Sequence, residues 1–211
     1  MDTIVIASHN NHKADEISTI LGNKFNIQTL TKFPNAPSVE EDGSTFIENA
    51  KKKANEIAYW LNKNSKDHDP ESNYVLADDS GLEVDILNGK PGIHSARYAS
   101  TTTNRNSSDS ENISKLLKKL TGIAEPDRGA QFRCVLALTN IKQSETRTFE
   151  GVCRGRINAL EIGDSGFGYD PVFIPDGYDK SFAQLGPTIK NKLSHRAKAL
   201  VKLAAFLKTH N

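Results

Sequence analysis

Apolar and polar positions along this chain switch between a period near two and a period near 3.6, and the switches predict its elements. Residues 3–7, Thr-Ile-Val-Ile-Ala, form a β-branched run that predicts a buried first strand. A polar turn follows, then Ala14, Ile17 and Leu21 recur at helical spacing, with Asn10 or Asn11 as the N-cap. Residues 25–30 predict a second strand, and residues 34–38, with two prolines, a loop. Thr45 with Glu48 three positions on reads as a capping box. The helix it opens carries Phe46, Ala50, Ala54, Ile57 and Leu61 on one stripe. Lys51 and Lys53 flank that stripe, and periodicity does not separate an ordinary snorkelling lysine from a functional one. Residues 62–73 read as a polar surface loop.

The stretch 77–99 organises the rest. An apolar approach at residues 74–77 leads into two adjacent carboxylates, Asp78 and Asp79, expected at a strand end. Ser80-Gly81 predicts a turn, after which Leu82, Val84 and Ile86 alternate with Glu83 and Asp85 as a half-buried strand. Gly89, Pro91 and Gly92 break the chain, and Arg97 follows. Residues 100–108 are rich in Ser, Thr and Asn and read as loop. Ile113, Leu116, Leu117 and Leu120 predict an amphipathic helix stopping at Gly122. Residues 131–140 and 146–157 predict a hairpin, and residues 163–171 a glycine-rich loop. A last helix turns Leu193, Ala197, Leu200, Ala204 and Leu207 to the core, with Lys190, Lys192, His195 and Arg196 crowding its start against the macrodipole. Strands alternating with helices and then a hairpin predict an α/β protein with a mixed sheet, as one domain over residues 1–211 without a linker or repeat.

Bulk numbers narrow the classes. The 211 residues include 27 basic and 26 acidic ones, so long-range attraction to nucleic acid is not expected. No apolar run approaches the ~20 residues that cross a bilayer, and the first residues read as a strand rather than a signal peptide. Cys134 and Cys153 lie in apolar segments without CxxC spacing and read as buried free thiols of a reducing compartment. A soluble cytoplasmic enzyme is expected, with no membrane or nucleic-acid partner.

The candidate chemistry starts at the acidic pair. Two carboxylates beside a glycine suit a hard cation such as Mg2+, which takes one or two carboxylates plus phosphate oxygens. Neighbours on a strand face opposite ways, so Asp78 and Asp79 are expected to do different jobs. The plainer alternative is that both cap and solvate a turn. Free N–H groups at the first helix start attract anions, and Lys13 in that first turn is badly placed unless an anion is present. The glycines of a Walker or dinucleotide loop are absent. The acidic residues Glu40, Glu41 and Asp42 either complement a helix dipole or add a third carboxylate to the pair. Phe167, between Gly166 and Gly168, either stacks on a planar base or tucks onto the core.

Four segments together resemble the inosine triphosphate pyrophosphatase (dITP/XTP pyrophosphatase) family: Ser8-His9-Asn10-Asn11-His12-Lys13, residues 77–98, Phe167-Gly168-Tyr169-Asp170 and Ser194-His195-Arg196. The Thr-Phe-Ile-Glu-Asn-Ala run from Thr45 supports the match. The resemblance implies an α/β fold of two lobes around a long mixed β-sheet with a central nucleotide-binding cleft, a homodimer, and Mg2+-dependent hydrolysis of purine nucleoside triphosphates bearing hypoxanthine or xanthine to monophosphate and pyrophosphate. It implies Asp79 as catalytic base and metal ligand, with Glu40 as second ligand. The Ser8-to-Lys13 segment, Lys53 and Lys190 match triphosphate contacts, and Ser80 a further nucleotide contact. Phe167, Gly168, Tyr169, Asp170, His195 and Arg196 match the base pocket. Ser8 stands where Thr is usual, His9 where a small residue is common, and the loop after Tyr98 departs from an acidic pattern. A non-catalytic nucleotide sensor or nucleic-acid binder is the rival, and the carboxylates, which repel phosphate without a cation, speak against it.

Overall fold

The computed structural model describes residues 2–8, 10–64, 72–101 and 105–209. Its elements in chain order are β1 (Thr3–Ile6), α1 (Asn11–Leu21), β2 (Asn26–Thr29), α2 (Phe46–Lys63), β3 (Ser72–Val84), α3 (Asp109–Lys119), β4 (Gly129–Asn140), β5 (Thr146–Ile157), β6 (Phe173–Pro175), α4 (Phe182–Leu193) and α5 (His195–Thr209). The strands form one sheet in the order β2-β1-β3-β4-β5-β6. β1 runs parallel to β2 and to β3, whereas β5 and β6 are antiparallel, so the sheet is mixed and the class is α/β. The hairpin between β4 and β5 closes with Asn140 N–H donating to the Glu145 carbonyl at 2.9 Å.

The chain divides into two compact units. The first holds the residues up to Asp79, Cys134–Glu150 and those from Ala199 on. Its core joins Ile4 and Ile6 of β1, Ala14, Ile17 and Leu21 of α1, Leu136 and Leu138 of β4, and Leu200 and Leu203 of α5. Burying each large aliphatic side chain is worth roughly 1.5–3 kcal/mol, which holds the periodic faces inward. The second unit comprises Ser80–Arg133 and Gly151–Lys198. Its core packs Leu82 and Val84 with Ile113 and Leu116 of α3 and an aromatic group. There Phe173 lies 4.6 Å from Phe132 and 5.2 Å from Phe182 between ring centroids. The β5–β6 pairing needs Gly155, because a Cβ there would meet the Ile174 carbonyl oxygen at 2.2 Å.

Two sequence expectations are corrected. β3 runs unbroken from Ser72 to Val84, so there is no turn at Ser80-Gly81 and the acidic pair lies within the strand, not at its end. Burial of Val75, Leu76 and Ala77 before the pair and of Leu82 and Val84 after it outweighs the local Ser-Gly preference. Ile86 falls in a 3-10 turn and is 44% exposed. The second correction concerns the C-terminal segment, which is two helices parted at Ser194. Ser181 and Gln184 open α4 with a reciprocal capping box. Gly186, at φ +73, separates its first turn from a helical run beginning at Pro187. Lys190 and Lys192 therefore sit in the last turn of α4, where the dipole favours them, and only His195 and Arg196 open α5. α3 has its C-cap at Leu120, with Gly122 at φ +80 two residues beyond. His9, most of the 62–73 loop and part of the 100–108 loop lie outside the described residues.

Candidate functional site

In the first unit the chemistry begins at the β1–α1 turn. Asn10 is the N-cap, its Oδ1 accepting from Lys13 N–H at 3.1 Å, while its own N–H donates to Ser8 Oγ at 3.1 Å. Asn11 and His12 are exposed on the first helical turn. Lys13 reaches inward, and its Nζ lies 2.7 Å from Asp78 Oδ1. Asp78 is thus an anion that offsets the misplaced cation. The other Asp78 oxygen accepts from the Cys134 thiol at 3.3 Å, so this carboxylate is held from two elements.

Asp79, on the opposite face of β3, meets different partners. Lys53 of α2 is buried, and its Nζ donates to Glu41 Oε1 at 2.8 Å and to the Asp78 carbonyl at 2.7 Å. The same Nζ is 3.8 Å from Asp79 Oδ1. Asp79 Oδ2 is buried with no hydrogen-bond partner from the protein. Burial raises the Asp79 pKa above the ordinary carboxylate value; Lys53 and Lys13 pull it back, and Glu41 raises it further. Asn49 also favours the charged form, although its Nδ2 meets no acceptor in good geometry. Two lysines here face three carboxylates, and an orphaned oxygen remains. That donor set fits a divalent cation completed by phosphate oxygens. Among the described residues no three His, Cys, Asp or Glu side chains form a complete metal cage.

The second unit holds the other candidate residues. Asp170 is buried, and its Oδ2 accepts from Phe167 N–H at 2.9 Å and from Lys190 Nζ at 2.6 Å. Lys190 Nζ sits 4.3 Å from the Phe167 ring centroid, and Arg196 Cζ 5.8 Å from it. Arg196 is only 1% exposed. His195 stacks on Phe132 at 4.7 Å with the rings 13° apart. Tyr169 donates its hydroxyl to the Ser95 carbonyl at 2.9 Å, and burial raises its pKa far above the ordinary phenol value. Gly166 is required, because a Cβ there would lie 2.2 Å from Asp170 Oδ2. Ser80 is half-buried on β3.

The structure thus brings Ser8, Asn10, Lys13, Lys53 and Asp79 into one unit, and Phe167, Gly168, Tyr169, Asp170, His195 and Arg196 into the other. Lys190, matched to a phosphate contact by resemblance, lies with Asp170 and Phe167. Glu40 is exposed, and its neighbour Glu41 carries the carboxylate bonded to Lys53. Asn49 and Cys134 escaped the sequence reading as site residues, and Glu41 entered it only as one of three acidic residues that could add a carboxylate to the pair. Asn49 and Lys53 had a signal: both are polar residues inside the buried stripe of α2, Lys53 lying three positions after Ala50 and four before Ile57. Cys134 had none, since its approach to Asp78 depends on strand pairing distant in sequence.

The lysine–carboxylate cluster of the first unit suits a phosphorylated group, and the cation–aromatic cluster of the second suits a planar one. The Ham1 family model matches residues 4–206, and the chain belongs to that family. A curated relative from Shouchella clausii is 41% identical over 96% of this chain and 95% of its own, and one from Clostridium perfringens is 45% identical over 99% and 98%. Both are named dITP/XTP pyrophosphatase. The solved structure of the Staphylococcus aureus Ham1 protein is 41% identical, with a TM-score of 0.83 over the whole of both chains.

Proposed function

We propose that this chain is a dITP/XTP pyrophosphatase, which hydrolyses ITP, dITP and XTP to the monophosphate and pyrophosphate and so clears deaminated purines from the nucleotide pool. The observation that carries the reading is the buried Asp79 carboxylate, with one oxygen unpartnered and two lysine ammonium groups nearby. Water attacks the α phosphorus, a new P–O bond forms, and the bond to the leaving pyrophosphate breaks. Asp79 Oδ2 orients that water and takes its proton. Lys13 and Lys53, with the amides at the α1 start, bind the phosphate tail and stabilise charge on the leaving group. Asp79 would hold Mg2+ together with Glu40, carried over by resemblance, while Glu41 keeps Lys53 in place. When bound, the cation supplies charge neutralisation and a more acidic water.

Base choice falls to the second cluster. Lys190 occupies one side of the Phe167 ring, so a base stacks on the other. Hypoxanthine and xanthine present a carbonyl at C6, which Arg196 or His195 can donate to; the adenine amino group cannot accept. A buried polar site of this kind discriminates by about 10⁴ or more. Assembly as a homodimer and a cytoplasmic location belong to the same proposal; among the described residues no helix is long and apolar enough to cross a membrane. Pyrophosphate release measured over a panel of nucleotides with Mg2+ tests the reading. ITP, dITP and XTP are expected to turn over far faster than ATP or GTP, and equal rates across the panel would reject it. Binding without pyrophosphate would favour the sensor instead.

A further inference from the structure

We propose that Asp109, the first residue of α3, is a positioning residue for the loop that carries Phe167, and through it sets base selectivity. The inference rests on the pyrophosphatase reading above. Its basis is a pair of adjacent amides. Phe167 N–H donates to Asp170 Oδ2 at 2.9 Å, and Gly168 N–H donates to Asp109 Oδ2 at 2.6 Å. With both amides claimed by carboxylates, the peptide on either side of the Phe167 Cα is fixed, and with it the direction of the Cα–Cβ bond from which the ring projects. Gly168 sits at φ +62, a left-handed conformation that glycine adopts without strain.

Asp109 is itself well anchored. Ser108 and Glu111 close a reciprocal capping box at the helix start, so the cap does not need Asp109. One turn on, Asn112 Oδ1 accepts from Ala99 N–H at 2.8 Å and its Nδ2 donates to the Ala96 carbonyl at 3.2 Å. The same 95–99 segment receives the Tyr169 hydroxyl through the Ser95 carbonyl. The Phe167-Gly168-Tyr169 run is therefore tied, at two successive residues, to α3 and to the 95–99 segment that α3 holds. The plainer role for Asp109 is to complement the α3 dipole as a first-turn acid. Charge separates the two roles. An Asn side chain can still accept from Gly168 N–H but gives the dipole no anion.

The test compares Asp109→Ala and Asp109→Asn with the unmodified protein on ITP, XTP, ATP and GTP. Asp109 is exposed, so both variants are expected to fold. Loss of one charge-assisted hydrogen bond in Asp109→Ala is expected to raise KM for ITP about tenfold, with kcat within about twofold, and to shrink the ITP preference by a similar factor. Asp109→Asn is expected to restore most of that preference. Amide hydrogen exchange in a peptide covering residues 166–170 is expected to accelerate in the Ala variant and not in the Asn variant. Unchanged selectivity and exchange in Asp109→Ala overturn the proposal while leaving the pyrophosphatase reading intact. A loss shared equally by both variants assigns Asp109 to the dipole and also overturns it. An unmodified protein with no preference for ITP removes both claims.

Discussion

Asp79 concentrates the physical tension of the first unit, because its carboxylate is buried while one oxygen has no protein partner. Removing that charge relieves a desolvation cost that Lys53 and Lys13 only partly offset. Asp79→Asn is therefore expected to keep or raise Tm while cutting turnover by about 10³-fold or more, the scale lost with a general base. Thermal melts beside a pyrophosphate assay check this, and near-normal turnover would take Asp79 out of the role. Glu41 and Glu40 are expected to differ. Glu41→Gln loosens Lys53 and should raise KM for the triphosphate by roughly tenfold, the scale of one charge-assisted bond. Glu40→Gln should instead raise the Mg2+ concentration needed for half-maximal rate. A Mg2+ titration at several substrate concentrations separates them, and identical behaviour would undo the division. At this scale the different partners of Asp78 and Asp79 were legible from strand alternation alone. Lys53 was legible too, as a polar residue within the buried stripe of α2. Glu41 was legible only as one of three acidic residues, because the loop from residue 40 to 43 has no period to choose among them.

Elements with a strong period and a cap were readable: α1 with Asn10, α2 with Thr45, and the β4–β5 hairpin. The Glu48 carboxylate of α2 does settle mainly on Ser44, accepting from its N–H and hydroxyl at 2.7 Å, one residue before the cap. α4 escaped because Gly186-Pro187 looks like an interruption when the residues around it are read singly, whereas Pro187 begins the longer helical run. The apparent crowding of cations at one helix start was a consequence of that omission. Two measurements belong to this scale. Gly155→Ala pushes a Cβ against a backbone oxygen that cannot step aside, at a cost of about 1–3 kcal/mol, so Tm should fall by several degrees. An unchanged melt would mean that β6 can move away. Asp85 pairs with Arg154 of β5 at 2.6 Å on the surface, and the guanidinium holds the Asp85 carboxyl below its ordinary value. A depressed carboxyl stabilises the fold above the unfolded pKa and loses that contribution as pH falls through the folded one. Asp85→Asn should thus lower stability slightly near pH 7, by under about 1 kcal/mol for so exposed a pair, and by progressively less as the pH falls below the ordinary carboxylate range. A difference that persists in acid would contradict the assignment.

For the whole molecule, the α/β class followed from the order of strands and helices, but the sheet order did not. β1 lies between β2 and β3, and β6 adds at the far edge, pairings that depend on residues distant along the chain. Each compact unit is assembled from separated segments, which is why no linker composition marks a boundary. The Ham1 family match spans residues 4–206, nearly the whole chain. The central claim is that Asp79 directs water to the α phosphorus of a deaminated purine nucleotide. It is tested most directly by turnover of ITP with Mg2+ in ¹⁸O-labelled water, followed by mass spectrometry of the products. The account expects one ¹⁸O in the inosine monophosphate and none in the pyrophosphate. Label in the pyrophosphate, or orthophosphate as the first product, would contradict it.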